Sequence, residues 1–145
     1  MTQQIISQID GEFAGYNDGV IFKLANGQVW QQSKYKYKYH YAYCPRVRIY
    51  AGSLGSYLME VEGVDEPVEV TQVSIVVEGS IVSDFRGFKQ GAIFKFNNGQ
   101  VWEQSEAKHS YYYAYRPQAT IVDGIDGFQL QVEGMDEPVC VRKVS

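Results

Sequence analysis

Two cysteines and four prolines in 145 residues are too few for the disulfide-stapled scaffold of a small secreted domain or for a proline-rich extended chain. Cys44 and Cys140 form no CxxC or Cys/His ligand spacing, so reduced structural thiols are the simplest reading, with a disulfide between them left open. Basic charge is also scarce. Thirteen Lys and Arg against seventeen Asp and Glu give a net charge of -4, which disfavours long-range attraction to nucleic acid or to an anionic membrane. No stretch approaches the roughly 20 apolar residues of a membrane span, and Met1 to Ser7 lacks a basic segment followed by a long apolar run. No membrane partner is therefore expected, and the expected location is the cytoplasm. GxSxG, P-loop, HExxH and dinucleotide-binding glycine patterns are all missing, so the chain reads as non-enzymatic, with no metal and no cofactor.

What the chain has instead is tyrosine: twelve, beside seven Phe, two Trp and fourteen Gly. Aromatic and β-branched residues suit pleated, half-buried surfaces and glycines supply turns, while no window sustains a period of 3.6. An all-β protein follows.

The chain also repeats itself. GVIFKLANGQVWQQS from Gly19 returns as GAIFKFNNGQVWEQS from Gly91, and YAYCP ending at Pro45 returns as YAYRP ending at Pro117. VEGVDEPVEV from Val61 returns as VEGMDEPVCV from Val132, with one residue lost from the loop near Ser53 to Ser56. Upstream, Ile9, Phe13, Gly15 and Tyr16 match Ile81, Phe85, Gly87 and Phe88. Two domains are expected, residues 1–74 and 75–145, closely packed because the seam Val70 to Glu78 is β-like and holds no linker.

Within one unit, Val20–Leu24 and Gln28–Gln32 flank Asn26-Gly27, a hairpin signal that Asn98-Gly99 repeats. Further strands are expected at Tyr39–Tyr43, Arg46–Tyr50, Tyr57–Glu62 and Val68–Val73. Five or six short strands in so few residues is the size of a small SH3-like barrel, here in tandem, with an OB-like barrel as the alternative. OB folds usually carry a helix that no segment here supplies.

Phe13-x-Gly15-Tyr16, then Ile21 to Gln32 with its NGQVW core, then Tyr41-Ala42-Tyr43 and Pro45, resembles a repeat of uncharacterised bacterial proteins. The similarity covers both halves. It implies a bacterial all-β repeat protein and no particular activity. In that pattern Trp often stands where this chain has Tyr16 and Phe88, and Arg where it has Cys44, departures that weaken any role for Cys44.

Two constellations are candidates for function. With a two-residue type I′ turn, Lys23 faces Trp30, and Gln28 and Gln32 share that side; Lys95, Gln100, Trp102 and Gln104 repeat the set. An indole beside a lysine stem and two amides is a ligand platform in outline. The competing reading buries both tryptophans, and a three-residue turn, which sets Phe22 against Trp30, removes the platform. The second constellation is Lys34 to Tyr43, whose strict alternation as a strand puts five Tyr on one face and Lys34, Lys36, Lys38 and His40 on the other. At about 3.3 Å per residue it is too long for a small barrel strand, so part of it should bulge or project. Tyr39, Tyr41 and Tyr43, matched by Tyr111, Tyr113 and Tyr115, read as structural; Tyr35 and Tyr37 are additions of the first unit.

Aromatics interleaved with lysines, with Arg46 and Arg48 just beyond, suit single-stranded nucleic acid, whereas lysines on an exposed strand also guard an edge against aggregation. His40 and His109 fall at non-equivalent positions, which disfavours a duplicated metal or acid-base site, and Asp65-Glu66 and Asp136-Glu137 before prolines read as turn residues. The favoured expectation is a binding protein whose partner is a protein or peptide, a homodimer being compatible. Nucleic acid or glycan binding along the Lys/Tyr strand is the alternative.

Overall fold

The computed structural model describes residues 4–52, 55–135 and 137–145; Ser53, Leu54 and Asp136, which fall within the shortened loop and one carboxylate pair noted above, lie outside the described residues. The chain is all-β and divides into two compact units, Met1–Val73 and Ser74–Ser145.

The first unit contains β1 (Gln4–Gln8), β2 (Glu12–Tyr16), β3 (Ile21–Lys23), β4 (Val29–Gln32), β5 (Lys38–Tyr43), β6 (Arg46–Ala51) and β7 (Tyr57–Val61). It also holds the opening half of β8 (Val68–Ser80). Antiparallel ladders give the order β1-β6-β7-β8-β4-β3, and β2 pairs separately with β5. Among the described residues these ladders do not close into a barrel. Their ends meet at a single bridge, Ile9 to Leu24, reinforced where the Asp10 amide donates to the Lys23 carbonyl (2.8 Å).

The second unit takes the closing half of β8 with β9 (Phe85–Phe88), β10 (Ile93–Lys95), β11 (Val101–Gln104), β12 (Ser110–Ala114), β13 (Gln118–Gly124), β14 (Gly127–Val132) and β15 (Val139–Lys143). Its order, β8-β13-β14-β15-β11-β10, with β9 paired to β12 and a bridge from Ile81 to Phe96, repeats the first unit strand for strand. Each unit thus has more strands than the five or six read from the sequence. β1 and the glycine-interrupted β2 carry too weak a pattern alone and are fixed by their partners.

Each core is the inner face of these ladders. Ile9, Phe13, Tyr16, Phe22, Trp30 and Met59 anchor the first; Ile81, Phe85, Phe88, Phe94, Trp102 and Leu130 occupy the matching places in the second. Phe13 meets Tyr16 edge-on at 6.0 Å, as Phe85 meets Phe88 at 6.4 Å. Gly15 and Gly87 lie at positive φ, 109° and 101°, where a Cβ would fall on the backbone of Lys38 or of Ser110, so only glycine lets β2 reach β5 and β9 reach β12.

Candidate functional site

The NGQVW hairpins decide the first candidate. Phe22 lies opposite Trp30 and Lys23 opposite Val29, so the expected Lys23–Trp30 facing pair does not form. The Leu24 amide donates to the Gln28 carbonyl (2.9 Å) and the Gly27 amide to the Leu24 carbonyl (3.0 Å), enclosing the three-residue loop Ala25-Asn26-Gly27. Gly27 has φ 89° while Asn26 does not take positive φ, which excludes a type I′ turn. Asn26 works differently: its Oδ1 accepts the Gln28 amide at 3.0 Å, and Asn98 does the same for Gln100 at 2.9 Å.

This register buries both aromatic rings of the facing pair. Burial of each is worth roughly 1.5–3 kcal/mol, more than a preference between turn types, so the three-residue loop prevails. Trp30 and Trp102 are left only 2% and 3% exposed. Each indole Nε1 donates to the glutamine two residues before it, Gln28 at 3.2 Å and Gln100 at 3.0 Å, and each ring meets an aromatic edge, Tyr57 at 5.5 Å or Phe128 at 5.4 Å. Neither indole offers a stacking face.

Gln32 and Gln104 are buried as well, and they tie down the segment that follows. The Gln32 Oε1 accepts the Asn17 amide (3.0 Å) and its Nε2 donates to the carbonyls of Lys34 and Lys36 (3.0 Å each). Gln104 accepts from the Lys89 amide (2.7 Å) and donates to the carbonyls of Glu106 (2.8 Å) and Lys108 (2.6 Å). Residues 34–37 are therefore held outside the strand and β5 begins only at Lys38, in keeping with the expectation that part of the ten-residue segment bulges or projects. Lys36 is not a free cation: its Nζ donates to the Pro67 carbonyl at 2.8 Å and lies 3.7 Å from Glu66. Lys108 repeats this with Pro138 at 2.8 Å and Glu137 at 3.3 Å.

On β5 exposure alternates, while Ser110 to Tyr113 of β12 are all exposed, and in both units the shared tyrosines are on the solvent side, not in the core. Tyr39, Tyr41 and Tyr43 are 69%, 55% and 72% exposed, and Tyr111, Tyr113 and Tyr115 are 72%, 53% and 78% exposed. Tyr35 and Tyr37 are exposed too. The other side carries Lys38, His40 and Ala42 on β5 and Ser110, Tyr112 and Ala114 on β12. His40 packs beside Phe13 at 6.5 Å and against Gly63, while Tyr112 meets the equivalent Gly134. A core already filled by Phe13, Tyr16, Phe22 and Trp30 has no volume for three more phenols, which is why they turn outward.

These strands also keep an open edge. The Cys44 amide donates to the Gly11 carbonyl (2.8 Å), and the Lys38 carbonyl and His40 amide abut Gly15, so even-numbered residues point their backbone groups at β2. Alternation directs those of Tyr39, Tyr41 and Tyr43 away from it. In the second unit the Ser110 carbonyl and Tyr112 amide abut Gly87, leaving Tyr111 between them outward, and the register against β9 then shifts between Tyr111 and Ala114. Among the described residues no second strand pairs with either edge.

Around the phenols the units differ. The Tyr41 hydroxyl donates to Glu12 Oε1 at 3.3 Å, and that carboxylate raises the Tyr41 pKa above the ordinary phenol value. In the second unit Arg86, bonded to Asp84 at 2.7 Å, stands 5.7 Å from the Tyr113 ring, and Arg116 stands 5.7 Å from the Tyr115 ring. Glu12 and Arg86 escaped sequence reading because the pairing of β2 with β5, and of β9 with β12, has no signal in spacing. Arg46 and Arg48 lie on β6, beside a cleft of about 370 Å³, and Arg48 donates to Glu60 at 2.8 Å, so it does not extend a basic stripe.

Cys140 is half-buried and its thiol pKa is pushed up by burial and then by Glu106, which disfavours a reactive thiolate. Among the described residues no group of His, Cys, Asp and Glu is arranged to hold a metal, and no helix is long and apolar enough to cross a membrane. No family model matches the chain, and neither the curated proteins nor the solved structures include a match.

Proposed function

We propose that the chain is a non-catalytic binding protein of bacterial type and cytoplasmic location, built from two tandem units of SH3-like kind whose barrels stay open, and that it recognises an extended segment of another polypeptide. The single observation that carries this reading is the coincidence, in both units, of an unpaired strand edge with a row of exposed tyrosines. An added strand takes its main-chain hydrogen bonds from the edge and its selectivity from side chains at the same repeat, about 6.6 Å for alternate residues. Tyrosine serves such a surface well, giving large area and a hydroxyl at small entropic cost.

The reading places recognition on Tyr39, Tyr41 and Tyr43 of β5 and on Tyr111 and Tyr113 of β12, and assigns Trp30 and Trp102 to the core. Single-stranded nucleic acid or an oligosaccharide is less well supported, because Lys36 is engaged with Pro67 and Glu66, and Glu12 stands among the phenols. Selection of displayed random peptides, followed by titration while tyrosine resonances are monitored by NMR, tests the choice. Peptides that shift the β5 or β12 tyrosines support it. Shifts produced by oligonucleotides or glycans at low salt, with peptides silent, overturn it.

A further inference from the structure

The two open edges are not equally defended. β5 carries Lys38 and His40 within the strand and follows three residues after Lys34, whereas β12, Ser-Tyr-Tyr-Tyr-Ala, contains no charged residue. An uncharged, aromatic edge invites another strand, and lysine is one of the usual protections against it.

Register is a second consideration. Pairing all six residues of β5 with a second β5 in antiparallel fashion sets each tyrosine opposite an even-numbered residue, whose backbone groups are already directed at β2, so a β5 pair has to centre on Tyr41 and keeps Lys38 and His40 of both copies along the seam. β12 has five residues and a central one, Tyr112, so a pairing centred there sets Tyr111 opposite Tyr113 of the second copy, with the Ser110 carbonyl and Tyr112 amide turned to β9 and the register shift between Tyr111 and Ala114 lying on that β9 side of the strand. Ser110 then faces Ala114, Tyr112 faces its own equivalent, and no like charges oppose one another. Such an isologous contact closes as a two-fold dimer without propagating.

We propose that this chain self-associates through β12, two copies extending the β9–β12 pair into a four-stranded antiparallel sheet with Tyr111 on Tyr113. The proposal rests on reading the tyrosine edges as contact surfaces and commits one of them to a second copy, leaving β5 for a different polypeptide. With one short strand from each copy, the association is weak and depends on concentration.

Sedimentation equilibrium of the full chain, from micromolar to near-millimolar concentration, measures it. The double variant Tyr111→Lys/Tyr113→Lys places lysine opposite lysine twice and is expected to weaken association by about tenfold or more. Tyr111→Lys/Tyr113→Glu places opposite charges at the same points and is expected to retain it, which separates register from a general loss of aromatic surface. Tyr39→Lys/Tyr41→Lys on β5 is expected to leave it unchanged. A chain monomeric throughout, or association that the lysine pair on β12 leaves intact or that the pair on β5 abolishes, overturns the proposal. If the chain is monomeric yet peptides still perturb the β5 tyrosines, the binding reading stands without the dimer; if neither occurs, both fall.

Discussion

The two units share a framework and differ in how its edge is dressed. Strand order, the bridge that joins the ladder ends, the NG turns, the paired glutamines Gln32 and Gln104, and the reaching lysines Lys36 and Lys108 recur place for place. Each makes a contact that the fold needs. The exposed tyrosines recur too, although their rings lie mostly in solvent and contribute little to packing. Their surroundings diverge: Glu12 and basic residues lie along β5, while an uncharged strand flanked by Arg86 and Arg116 forms the other edge. Repetition without a packing contact points outward, and the two edges differ in the charge that surrounds them.

Substitutions test whether the equivalence is real. Gly15→Ala and Gly87→Ala should each destabilise their unit by about 3 kcal/mol or more, through a Cβ forced onto a neighbouring backbone at positive φ. Denaturant unfolding read by hydrogen exchange in each unit would show it, and markedly unequal losses would break the correspondence. Gln32→Ala and Gln104→Ala should follow at roughly 2–3 kcal/mol, since each leaves several backbone groups without their partner.

Tyr16→Phe sharpens the contrast by making the first unit resemble the second, which has Phe88. The Tyr16 hydroxyl donates to the Glu66 carbonyl at 2.8 Å, and its loss should cost about 1 kcal/mol at neutral pH. Burial, followed by the Glu66 and Glu60 charges, holds the Tyr16 pKa well above its ordinary value of 10.0. The folded state therefore favours the protonated phenol, and its contribution is full below the ordinary value and lost as pH rises from there toward the raised one. Unfolding midpoints measured across alkaline pH should fall for the wild-type first unit, and Tyr16→Phe should remove that part of the fall. The smallest effect belongs to Tyr39→Thr/Tyr41→Thr/Tyr43→Thr, expected to change stability by less than about 1 kcal/mol while removing contacts on β5; a large loss in thermal melts would return these residues to the core.

The duplication, the all-β class and most strand positions were legible because periodicity and turn residues are local. The face on which the tyrosines lie was not. Alternation along Lys34 to Tyr43 separates two sets of side chains but does not say which set is inside, and that is settled by the volume Phe13, Phe22 and Trp30 already fill and by the space Gly63 leaves over His40. The tryptophan platform failed for a similar reason. One residue of turn length exchanges the residue opposite Trp30, and burial of Phe22, not the NG dipeptide alone, sets that length.

Amide hydrogen exchange of the dilute full chain, resolved residue by residue along β5 and β12, tests the open tyrosine edges most directly. Tyr39, Tyr41, Tyr43, Tyr111 and Tyr113 should exchange quickly, while His40, Ala42 and Tyr112, directed at β2 or β9, should be protected. Protection of the tyrosine amides in dilute solution would mean that another strand of the same molecule already covers these edges, and the account of them as contact surfaces would fail.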